Sequence, residues 1–121
     1  HGETPVEPVS EGTNNAAILA GVDILAHPGL LTDKEARLAA KKGVFLEITA
    51  RGGHNITNGH VAKVAISAKA NIVVNTDAHA PRDLIDKNFA NMVDKGAGLT
   101  DKMFFSFYKR LECWISSLLS K

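Results

Sequence analysis

Short apolar runs and helix-spaced apolar positions take turns along this chain. Val22-Asp23-Ile24-Leu25-Ala26, Val44 to Thr49 and Ala70-Asn71-Ile72-Val73-Val74 are compact apolar runs bounded by glycine or polar residues, and each predicts a strand. Gly12 to Ala20 predicts a short helix, with Thr13 or Asn14 as its cap and Gly21 as its end. Thr32-Asp33-Lys34-Glu35 is a capping box. It leads into Ala36, Leu38, Ala39 and Ala40 and is closed by Gly43. After the loop Arg51 to Asn58, Val61, Val64, Ala65 and Ala68 keep helical spacing up to the third run. The order strand, helix, strand, helix, strand predicts βαβ units, hence an α/β fold with a parallel sheet or barrel.

The remainder predicts two more helices. Asp83 to Asp94 reads as a short one, Gly96-Ala97-Gly98 breaks the chain, and Thr100-Asp101-Lys102 starts another. Phe104, Phe107, Leu111, Trp114, Ile115, Leu118 and Leu119 form a stripe along the last helix, as expected of an outer barrel helix docking one face on the domain.

With 121 residues the chain forms one domain at most, and 45% hydrophobic with 22% charged residues suffices for a core. The formal charge of +1, with scattered Lys and Arg, offers no electrostatic basis for binding nucleic acid or an anionic membrane. A single Cys113 excludes an internal disulfide and a thiolate zinc site, and suits a reducing, cytoplasmic setting. No apolar stretch reaches the roughly 20 residues that span a bilayer. Opening at His1 without Met, the sequence reads like the interior of a longer protein.

The strand ends carry the chemistry. Asn75-Thr76-Asp77-Ala78-His79 places a carboxylate and an imidazole two apart just after the third run, where both could leave a strand on one face and meet a divalent ion. The first run ends in Ala26-His27-Pro28-Gly29, and the second leads into Ala50-Arg51-Gly52-Gly53-His54. In parallel α/β folds function gathers at this C-terminal strand edge, so His27, His54, Asp77 and His79 are distributed like an active site of a (β/α) barrel. Glu47 alternates with Phe45 and Thr49, which makes it a buried hydrogen-bonding group rather than a catalytic base.

His1-Gly2-Glu3, Glu11-Gly12-Thr13-Asn14, Ala26-His27-Pro28-Gly29, Glu47 to His54 and Asn75 to His79 together resemble the later motifs of the polymerase and histidinol phosphatase (PHP) family of metal-dependent phosphoesterases. The resemblance spans roughly residues 1 to 85 and implies a distorted (β/α)7 barrel holding two or three zinc, manganese or iron ions at its C-terminal face. By that resemblance the metal ligands are Glu3, bridging two ions, with His27, His54, Asp77 and His79; Asp77 also orients the reacting water. His60 competes with His54 for the ligand position in the glycine-rich loop, and His1 is read as structural. Arg51 suits a phosphate clamp, because its planar fork matches phosphate oxygens.

The family's opening His-x-His pair and two further histidines have no counterpart here. The chain therefore reads as the C-terminal half of a PHP domain. Its partners would be the missing N-terminal half, or another copy of the chain, and a small phosphorylated substrate. The expected function is hydrolysis of a phosphate monoester such as histidinol phosphate or a nucleotide. A related metal-dependent amidohydrolase is less well matched, since that pattern lacks the histidine two residues after its late aspartate. The other reading is a catalytically incompetent fragment or interaction module with a partial metal site.

Overall fold

The computed structural model describes residues 1–121. Three strands, β1 (Ile24–Leu25), β2 (Phe45–Thr49) and β3 (Asn71–Asn75), form a parallel sheet in the order β1-β2-β3. Five helices accompany them: α1 (Thr13–Ala20), α2 (Asp33–Lys42), α3 (Asn58–Ala68), α4 (Lys87–Gly96) and α5 (Asp101–Leu119). The molecule is thus a mixed α/β fold with the expected alternation of strand and helix. Three strands do not close on themselves, and a seven-stranded barrel is not seen.

Local chemistry explains most boundaries. The Thr32 hydroxyl accepts the Glu35 N–H while the Glu35 carboxylate accepts the Thr32 N–H, and Gly43 closes α2 in the left-handed conformation. Asp33 and Glu35 at one end of α2 and Lys41 and Lys42 at the other complement its dipole. α1 departs from expectation, because its cap is Gly12 and neither Thr13 nor Asn14. Asn14 is buried instead, donating to the Pro28 carbonyl and accepting the Glu3 N–H. β1 is also shorter than its apolar run: the Val22 N–H is held by the Ala17 carbonyl at the end of α1, and the Ala26 carbonyl accepts from Gly2. The stretch expected as one helix from Asp83 divides into a 3-10 turn, Pro81–Asp83, and α4, whose cap is Asp86.

β2 is buried along its whole length. Its Leu46 and Ile48, with Leu25 and Ile72, meet Ala36 and Ala39 of α2 and Val61, Val64 and Ala65 of α3 in the main core. Phe45, Glu47 and Thr49 alternate with these toward the opposite face, as strand pleating dictates. The segment before α1 runs beside the residues that follow β1, where Glu3 forms a single isolated parallel bridge with Gly29.

α5 docks less completely than its apolar stripe predicts. Phe104 is buried, Trp114 meets the Phe45 ring, and Arg110 donates to Asn71, but Ile115, Leu118 and Leu119 are exposed. Geometry accounts for this. A helix of 19 residues runs about 28 Å, whereas five-residue strands offer about 16 Å of sheet to cover. No helix is long and apolar enough to cross a membrane.

Candidate metal centre

The C-terminal edge of the sheet gathers three side chains from three successive strand ends. His27 follows β1, His54 opens a 3-10 turn after β2, and Asp77 follows β3. One donor atom from each lies within 4.8 Å of the others. The two imidazoles are stacked, with ring centroids 4.2 Å apart. A donor set of two imidazoles and one carboxylate without thiolate suits zinc, manganese or iron.

Both rings are held at Nδ1 and make no hydrogen bond at Nε2. His27 Nδ1 lies 3.0 Å from Glu47 Oε1, which also accepts the His27 backbone N–H at 2.8 Å. A carboxylate can only accept, so Nδ1 carries the proton and Nε2 is left for a ligand. His54 Nδ1 lies 2.7 Å from the hydroxyl of Thr4, a buried residue 50 positions earlier. Hydrogen bonding of this kind behind a histidine is what fixes its orientation toward a metal.

The backbone is also unusual here. Three non-glycine residues have positive φ: His27 at 31°, Lys69 at 58° and Asp77 at 48°. Lys69 simply ends α3. The other two are members of the cluster, and left-handed backbone at non-glycine residues persists where the surroundings enforce it, commonly at functional sites. Gly29, at φ 66°, allows the Glu3 segment to approach, since a Cβ there would lie 2.1 Å from the Glu3 carbonyl oxygen.

Other residues singled out in the sequence occupy other places. The Glu3 carboxylate accepts the N–H groups of Gly12 and Asn14 at the start of α1 and stands outside the His27, His54 and Asp77 group. His79 is outside it too. β3 ends at Asn75 and Asp77 is left-handed, so the two-residue strand period no longer carries Asp77 and His79 to one face. Instead His79 Nδ1 donates to the Asp77 carbonyl at 2.6 Å. His60 Nε2 bonds the Leu31 carbonyl at 2.7 Å, which leaves His54 as the histidine in the cluster. His1 places its ring 5.3 Å from that of His27.

Arg51, Arg82, His79 and Phe89 help line a cleft of about 570 Å³ at this edge. Arg51 donates to the Asp77 carbonyl and to Asp83, both at 3.3 Å. Asp83 also accepts the His79 and Ala80 N–H groups, and these contacts, the His79 bond foremost, hold its carboxyl below the usual range. Burial, aided by the neighbouring His27, pushes the His54 imidazole below its ordinary value and favours the neutral, ligating form. Sequence reasoning missed Thr4 and Asp83. Asp83 carried a faint signal, six residues after Asp77 and two after Pro81, while nothing local marked Thr4.

No family model and no solved structure matches the chain. It is similar to an uncharacterized protein of Methanocaldococcus jannaschii, 54% identical over 103 residues, which cover 84% of this chain and 47% of that protein. The chain spans about half the length of the curated relative it matches.

Proposed function

We propose that this chain is part of a metal-dependent phosphoesterase, the C-terminal half of a PHP-type (β/α)7 barrel working in the cytoplasm on a small phosphate monoester. The observation that carries the reading is the pair of buried imidazoles, each held at Nδ1 with no hydrogen bond at Nε2, beside Asp77 in left-handed backbone. His27, His54 and Asp77 would hold the ion, and Glu3 would add a ligand in a completed barrel. A divalent ion bound there would supply Lewis acidity, lowering the pKa of water and offsetting charge on phosphoryl oxygens.

The chain's own groups have definable parts. Arg51 is held by the Asp77 carbonyl and Asp83 through Nη1, so the rest of its fork can receive phosphate oxygens in the cleft. Asp77 orients the attacking water. His79, its Nδ1 engaged by the Asp77 carbonyl, would as the imidazolium give its Nε2 proton to the leaving oxygen. The open edges of the three-stranded sheet are where the other half of the barrel, or a second copy, would pair.

Elemental analysis of the purified chain beside Asp77→Ala, with turnover of histidinol phosphate, tests this reading. Two or three metals per chain and phosphate release, both lost in the variant, support it. Metal-free protein that hydrolyses nothing favours the incompetent fragment or interaction module.

A further inference from the structure

Glu7 stands at the mouth of the cluster, in no motif that marked the site. Its Oε2 lies 3.6 Å from His54 Nε2, the nitrogen left free once Thr4 engages Nδ1. Its Oε1 lies 3.9 Å from His1 Nε2, so each carboxylate oxygen faces an imidazole nitrogen. The side chain is 61% exposed.

The segment leading to it is fixed in place. Thr4 is buried and bonded to His54, and the Val6 side chain would lie 3.5 Å from a Cβ at Gly53, the residue before His54. Residues 4 and 6 thus anchor the chain on the very loop that carries His54, and residue 7 follows over the exposed nitrogen. Separations of 3 to 4 Å between donor atoms are those found within one coordination shell. Glu7 is outside the group of three whose donor atoms lie within 4.8 Å of each other, but it is already 3.6 Å from the Nε2 of one of them, His54.

Resting on the metal-centre reading above, we propose that Glu7 is a further ligand of the ion held by His27, His54 and Asp77, closing the shell from the solvent side. Three protein ligands leave a position open to water or substrate, and a mobile carboxylate can fill and vacate that position. Glu7 would then compete with substrate oxygens and slow metal loss.

The measurement is zinc affinity by chelator competition, with the absorption spectrum of the cobalt-loaded protein, for the wild type, Glu7→Gln, Glu7→Asp and His54→Ala. The expected result is zinc binding at least about 10-fold weaker in Glu7→Gln, a shifted cobalt spectrum, partial recovery in Glu7→Asp, and unchanged melting without metal. Zinc bound equally by the wild type and Glu7→Gln, but lost in His54→Ala, overturns the role of Glu7 and leaves the centre standing. A wild type that binds no zinc overturns both.

Discussion

Two carboxylic acids in this molecule are equally buried, each 1% exposed, and they sit in opposite circumstances. Glu47, on the strand-end side, accepts both the backbone N–H and the ring Nδ1 of His27. Asp94, on the flank where α4 and α5 meet β3, faces Ile72, Val74, Phe104, Phe107 and Leu111, and its Oδ1 has no partner. Burial raises the Asp94 carboxyl from 3.8 to about 7. A buried acid with partners orients its neighbours, whereas one without partners makes the fold depend on its proton. The strand edge is built from specific polar contacts, whereas the flank rests mainly on apolar contact.

The sharpest way to break this contrast is Glu47→Ala. It leaves a buried N–H and a buried imidazole unpaired and should destabilise the chain by about 3–5 kcal/mol in urea unfolding. A loss below about 1 kcal/mol would remove Glu47 from its place at the centre of the edge. Next comes a pair of glycines. Gly29→Ala drives a Cβ into the Glu3 carbonyl and should cost about 2–4 kcal/mol, while Gly98→Ala, left-handed but with open space around it, should cost about 1–2 kcal/mol. Equal midpoints for the two would show that the close approach at Gly29 matters less than its backbone angle.

Asp94 sharpens the comparison through pH. Its folded pKa is raised, so its contribution is fully present below about pH 4 and is lost as pH rises through about 7. Wild-type stability should therefore fall across that window by about 1 kcal/mol or more, and Asp94→Asn should flatten the decline. A decline unchanged in the variant would assign it to other groups. Smallest of all is Leu119→Ser at the end of α5, where the side chain is 82% exposed; a melting curve should move by no more than about 0.5 kcal/mol in equivalent stability.

Legibility in the sequence followed the range of the interactions. α2 could be read residue by residue, because its capping box and glycine stop are local devices. The burial of Glu47 was legible from alternation alone. The cap of α1 was misread because Asn14 serves the Glu3 and Pro28 backbones, 11 and 14 residues away, rather than its own helix. His54 and His60 could not be separated until the Leu31 carbonyl, 29 residues from His60, was seen to hold its ring. Asp77 and His79 were paired by a strand rule that stops where β3 does, at Asn75. Thr4 gave no sign at all, since its one telling contact spans 50 residues.

β2 is the strand with a neighbour on either side and cover on both faces. Each of its parallel ladders closes across an intervening helix, so neither can form as a local hairpin and each must wait for a crossover to fold back. Once formed, the amides of Leu46 and Ile48 can reach solvent only when the sheet and the helix layer part together. Their hydrogen exchange would thus report the opening of the whole molecule, while amides in the exposed last turns of α5 exchange through fraying that leaves the sheet intact.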